Sequence, residues 1–378
     1  MRIVVLASLS FATLAVCMIL PGALLPLLVK RFGMRLMEAG SLLALQPLGH
    51  LVSVFVAPRA IALLGARATI RFAFLVPAVG FLGFGVASSW ILGAAMMFVT
   101  GLGIGAVEVA VNTLIITRGG ERRTSLLNLT HLFFGVASVL VPVAATQAVA
   151  AGMSWAMLCL LTATLLVAVG VAWGGLPDDP PAKMAAGSGG AELQWTFLVL
   201  LALTLAVYVG AEMGIGSWLT KYMMTVHGAS LTVAGNVLSL YWLGLTAGRL
   251  GLSLFAHRVR DENLLLALSA LATLSVTVAM TAGSATVSAA GFIATGLGFS
   301  GIFPGVIAIG GRRHPQAAAR ATSVLIGGAG IGQITLPWLM SVLADRSGMV
   351  FGMALYGLLT AVLVVLSLLI QRRARRNA

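Results

Sequence analysis

Two carboxylates stand apart in this 378-residue chain. Of its ten acidic residues, eight fall in or beside short polar stretches, whereas Glu108 and Glu212 sit inside long apolar runs. A charged side chain at the centre of a bilayer costs about 2.5–3.5 kcal/mol or more, so such residues mark an internal polar path. Glu108 lies in Gly101-Leu-Gly-Ile-Gly-Ala-Val-Glu108-Val-Ala-Val-Asn112, and the i,i+4 spacing puts Asn112 on the same helical face. That spacing offers an exchangeable proton beside an amide that can bond a solute hydroxyl. A permanently protonated Glu108 bonded to a neighbouring helix is the structural alternative.

Asn128 and His131 follow in the next apolar run. His131 titrates near neutral pH and is a candidate to share the Glu108 proton; a neutral imidazole bonded to a backbone carbonyl is the alternative. Gln46 and His50 lie one turn apart in an earlier run and are candidates to line a cavity. In the second half, Tyr208-Val-Gly-Ala-Glu212 leads to Trp218, whose ring suits the apolar face of a sugar, and Gln333 is a further candidate for solute binding. Gly210, Gly214 and Gly216 fall within seven residues here and predict a weakened or broken helix, the device by which transporters expose backbone to solute. No nucleophile with its base and no His/Cys/Asp/Glu metal cluster is present, so an enzyme is not expected.

The elements that must position these residues are membrane helices. Hydrophobic residues make up 60% of the chain and charged residues 9%, with a mean hydropathy of +1.05, which excludes a soluble globular domain. The net charge of +13 is scattered in ones to fours between apolar runs, a pattern of membrane topology and not of a nucleic-acid-binding stripe. Cys17 and Cys159 lie in apolar runs without metal or disulfide spacing. Breaking the chain at charged or Gly/Pro-rich points gives twelve spans: 4–28, 38–58, 68–87, 90–117, 125–150, 153–174, 195–221, 231–256, 263–282, 286–311, 320–343 and 349–370. The first apolar run is too long for a cleaved signal sequence and reads as a span.

With both termini in the cytoplasm, 18 of the 23 Lys and Arg fall on the cytoplasmic side, leaving Lys30, Arg31, Arg35, Lys221 and Arg346 opposite. The stretch 176–194, rich in Pro, Gly and Ser, reads as a cytoplasmic linker between six-helix bundles at 1–175 and 195–378. Basic loops recur after the second and fourth span of each half, which predicts a transporter built from two related halves.

The Gly-rich approach to Glu108-Val-Ala-Val-Asn112 resembles the fucose/glucose/galactose:proton symporter branch of the major facilitator superfamily. The same resemblance runs through Leu127-Asn128-Leu-Thr-His131-Leu-Phe-Phe-Gly135, Tyr208-Val-Gly-Ala-Glu212, Tyr241-Trp-Leu-Gly-Leu-Thr-Ala-Gly-Arg249 and Gly298-Phe-Ser-Gly-Ile-Phe-Pro304. It implies an all-α fold of twelve transmembrane helices, proton coupling at Glu108 and amides that bind sugar hydroxyls. Span one holds no carboxylate where the fucose transporter of that branch has one, and Phe134 stands where an amide is expected. The expected protein is a monomeric multi-pass transporter of the bacterial inner membrane, driven by a proton gradient without a cofactor, that takes a small solute and not nucleic acid. A proton-driven exporter of amphipathic compounds is the alternative, supported by the 16 Met and 16 Phe.

Overall fold

The computed structural model describes residues 2–118, 120, 123–175, 193–255, 259–314 and 317–376; most of the 176–194 linker and the loop residues Glu121, Arg122, His257 and Arg258 lie outside the described residues. Contacts divide the chain into two compact units, Met1–Ala186 and Gly187–Ala378. Among the described residues every regular element is helical, and twelve stretches are long and apolar enough to cross a bilayer. Helix is the economical solution because it satisfies every backbone N–H and C=O within one segment.

The first unit contains α1 (Arg2–Ala23), α2 (Leu25–Phe32), α3 (Leu36–Leu64), α4 (Ala66–Val86), α5 (Trp90–Arg118), α6 (Arg123–Ala150) and α7 (Trp155–Trp173). The second contains α8 (Trp195–His227), α9 (Leu231–Phe255), α10 (Asp261–Thr281), α11 (Ala285–Phe299), α12 (Ile302–Arg313), α13 (Ala318–Ser347) and α14 (Met349–Arg376). Two spans are interrupted. Span one pauses at Leu24 between α1 and α2, between Pro21 and Pro26. Span ten pauses at Ser300 and Gly301, where Pro304 lacks the N–H that the Ser300 carbonyl would otherwise receive. The expected interruption in span seven is absent: α8 is one continuous helix. Its glycines serve packing instead, since a methyl on Gly216 would stand 2.7 Å from the Trp242 ring and one on Gly214 would run into Tyr356.

Both units follow the same packing scheme. In the first, α1 packs on α6, α3 on α5, and α4 on both α5 and α7; in the second, α8 packs on α13, α9 on α11, and α10 on both α11 and α14. Counted by span, these are identical pairings. The register agrees as well: the Gln46 amide donates to the Cys17 carbonyl at 2.9 Å and the Tyr241 hydroxyl donates to the Glu212 carbonyl at 2.9 Å, both partners displaced by 195 residues. Gly49 abuts the backbone of Phe98 and Leu102 as Gly244 abuts that of Ile293 and Leu297, and Gly101 meets Gln46 and His50 as Gly296 meets Tyr241 and Leu245. The same displacement relates every member of these contacts.

Candidate functional site

In the first unit the site grows from the crossing of α3 and α5. Gly101 and Gly105 occupy one face of α5, and neither has room for a side chain. A methyl on Gly101 would run into the Gln46 carbonyl, and one on Gly105 would stand 2.6 Å from His50 Cδ2 and 2.7 Å from the His50 carbonyl. Small residues at i and i+4 let the two backbones touch, as in close membrane-helix pairs generally. Glu108 follows Gly105 by three residues and therefore projects from the same face. His50 Nε2 lies 3.0 Å from Glu108 Oε2, with 22% of the histidine side chain and 32% of the glutamate side chain exposed. This nitrogen has no hydrogen-bond partner of ideal geometry, so the contact is electrostatic in the first instance.

One turn beyond Glu108, the Asn112 Oδ1 is buried and has no hydrogen-bond partner, an acceptor left open beside the acid. A buried unpaired acceptor costs about 1–3 kcal/mol until water or a solute hydroxyl reaches it. His131, on α6, sets its ring 4.5 Å from Phe11 of α1 and lies within electrostatic reach of Glu108, but the imidazole at ion-pair distance is that of His50. Asn128 is exposed near the start of α6. Gln46 plays a structural part, because Pro21 cannot donate to the Cys17 carbonyl four residues earlier and the Gln46 amide supplies that bond.

The second unit holds the other intramembrane acid. Glu212, on α8, is 8% exposed, and Arg249 Nη2 of α9 approaches its Oε1 at 3.5 Å. Arg249 is 44% exposed, yet not toward lipid. On α9 the exposed stripe is Val233, Leu240, Leu243, Leu250 and Leu254, whereas Arg249 continues the buried stripe of Leu238, Trp242 and Leu245 at i,i+4 and i,i+7 spacing. Arg249 is thus a site residue that a sequence count placing it among the cytoplasmic-end cations conceals; the cue to it was its i,i+4 spacing from Leu245 in an apolar run.

Tyr208, one turn before Glu212, is fully buried with its hydroxyl beside Glu212 and Arg249, short of a hydrogen bond of good geometry, and its ring edge-on to Phe299 at 5.5 Å. Trp218 is also fully buried, with Nε1 unpartnered. Gln333 is half-buried on α13. Among the described residues, no group of three or more His, Cys, Asp or Glu could hold a metal ion.

The sequence profile of the Major Facilitator Superfamily matches residues 6–285 and 200–378. Among curated proteins, the chain is 22% identical to Protein TsgA of Escherichia coli O157:H7 over 353 residues, covering 90% of this chain and 87% of that protein. Among solved structures it superposes on a D-xylose-proton symporter with a TM-score of 0.81 at 12% identity, covering 98% of this chain and 96% of the other. It superposes on FucP, the E. coli fucose:proton symporter, with a TM-score of 0.65 at 19% identity, covering 97% and 98%. A nucleoside transporter and a peptide transporter share the fold as well.

Proposed function

Because this chain belongs to the major facilitator superfamily, and is therefore a multi-pass membrane transporter and not an enzyme, we propose that it carries a small polar solute, a sugar before others, by proton-coupled alternating access. Glu108 is the proton site of this reading. The observation that carries it is the juxtaposition on one face of α5 of a half-exposed carboxylate and the open acceptor of Asn112. A solute hydroxyl donating to Asn112 Oδ1 would sit one turn from the exchanging proton, which is the proximity that coupling requires. The remaining candidates for solute binding are Asn128 and Gln46 in the first unit, with Gln46 acting through α1, and Tyr208, Glu212, Trp218 and Gln333 in the second. The sugar:proton symporters among the solved relatives support the substrate class. The proton gradient supplies the energy, no cofactor is required, and the protein works as a monomer. Its place is the bacterial inner membrane with both termini in the cytoplasm, supported by the 17-to-5 division of Lys and Arg that stands once Arg249 is counted with the site. In transporters built from related halves, alternating access is a rocking of one half against the other.

The test is uptake of labelled D-xylose, L-fucose, D-glucose and D-galactose into proteoliposomes under an imposed pH gradient. At least one should accumulate, and Glu108→Gln should reduce accumulation about ten-fold or more. If no sugar moves and an amphipathic dye is expelled instead, the sugar reading is wrong.

A further inference from the structure

We propose that the coupled proton is held by a pair, His50 with Glu108, and that His50 is a coupling residue in its own right. The inference rests on the transporter reading above and adds to it the residue that makes the carboxylate work.

Three observations carry it. The first is the 3.0 Å approach of Nε2 to Oε2, made across two helices whose backbones touch at Gly101 and Gly105. The second is access: the Glu108 side chain is 32% exposed, whereas His50 Nε2 is closed off and meets the proton through the carboxylate beside it. The third comes from the internal repeat. The displacement of 195 residues that relates the two seams puts Leu245 in the place of His50. The second unit therefore builds the shared part of this crossing with an apolar residue where the first has His50, and its fourth span pauses at Ser300 and Gly301 before the position that Glu108 takes in the first. Packing of the shared seam does not call for a histidine there, and a polar group costly in lipid at that place needs another reason.

The pair has a simple charge arithmetic. With one proton shared it is an imidazolium beside a carboxylate, neutral overall. Loss of that proton leaves a net negative charge, and gain of a second leaves a net positive one. The loaded crossing is made with the pair protonated and neutral, and the empty return is made with the pair deprotonated, so that one proton moves with each solute. One proton taken from the acidic side and released on the other balances each cycle.

The remaining charged groups of the surrounding helices stand off. His131 of α6 acts on Glu108 from a distance and rests on Phe11. Arg59 of α3 and Arg118 of α5 lie about 13–15 Å along their helices from the pair, and Glu38 about 18 Å, by helical rise. Arg67 and Arg71 occupy the first two turns of α4, beside the Arg59 end of α3. On α2, Arg31 is engaged by the carbonyls of Gly85 and Ala87 and Lys30 is its neighbour, while α1 offers only Arg2 and Cys17.

The test has two arms on the full-length protein. In proteoliposomes, gradient-driven accumulation and equilibrium exchange of the sugar that the wild type moves are compared for His50→Gln, Glu108→Gln and His131→Gln. His50→Gln should lose accumulation about ten-fold or more while keeping exchange within about two-fold, as Glu108→Gln does, whereas His131→Gln, which acts on Glu108 only from a distance, should lose less than His50→Gln. Equal loss of both activities in His50→Gln would mean a structural role and overturn the proposal, as would wild-type accumulation. The second arm needs no solute: in detergent near pH 7, diethyl pyrocarbonate attacks neutral imidazole, so carbethoxylation of His50 should rise several-fold in Glu108→Gln with His131 unchanged. Unchanged reactivity at His50 would overturn the pairing even if no sugar is transported, which separates its failure from that of the sugar reading.

Discussion

At the crossing of the second and fourth spans, the first unit mounts His50 and Glu108, whereas the second has Leu245 in the place of His50 and a pause at Ser300 and Gly301 in the facing helix. The second unit mounts its own pair elsewhere, Glu212 on span seven and Arg249 on span eight, where the 195-residue displacement finds Cys17 and Val54 in the first. The backbone seams, the glycines and even the side-chain bond to the first helix are held in common. The titratable residues are not. Groups required by the fold appear twice, and groups that appear once are the ones chemistry has to explain.

The two unshared pairs differ in kind. His50 with Glu108 is partly open and includes an imidazole, a group that can take up and release a proton, whereas Arg249 keeps its charge and holds a carboxylate that is nearly closed off. The first suits exchange; the second suits holding. Arg249→Gln should therefore be the most damaging single change, because it leaves Glu212 buried and unpaired. About 2–3 kcal/mol of stability should go, below the 3–5 of a fully buried pair since Arg249 is itself partly exposed. Thermal unfolding in detergent measures it, and Arg249→Gln with Glu212→Gln should recover much of the loss. If Glu108→Gln destabilises the protein as strongly as Arg249→Gln, the distinction between exchanging and holding pairs fails.

The shared seams give a second, smaller test. Gly101→Ala and Gly296→Ala each force a methyl against a carbonyl and should cost about 1–3 kcal/mol apiece. Only Gly101→Ala, which shifts His50, should also impair proton coupling. Equal effects on coupling would erase the functional difference between the seams. Smallest are the two bonds to the first helix of each unit: Gln46→Ala and Tyr241→Phe should each cost about 0.5–1.5 kcal/mol, with unfolding midpoints as the readout. Of these, Gln46→Ala should be the costlier, because the Cys17 carbonyl that it serves has lost its helical donor to Pro21, whereas the Glu212 carbonyl faces Gly216 in an unbroken helix.

Several site residues were legible before folding. Glu108, Asn112 and Glu212 announce themselves because a polar group in an apolar run is expensive and needs an internal partner. Which partner each takes was not legible. His131 and His50 are equally far from Glu108 in any sequence-based account, and only the contact of α3 with α5 brings His50 to it. Gly210, Gly214 and Gly216 predicted a break that α8 does not have, since a glycine used as a socket for Trp242 or Tyr356 looks, in sequence, like a glycine that weakens a helix. Gln46 read as a cavity amide, and its bond to the carbonyl that Pro21 leaves free could not be inferred without the approach of α1 to α3.

Sequence alone determined the twelve spans and the places of the two intramembrane acids, because burial in lipid and backbone satisfaction are local demands that every stretch of about twenty residues must meet by itself. Tertiary structure alone decided the pairings His50–Glu108 and Glu212–Arg249, the register of the repeat and the uses of the glycines. Those depend on which helix backbones can touch, and that is set by missing side chains on both partners at once, a condition no single segment contains.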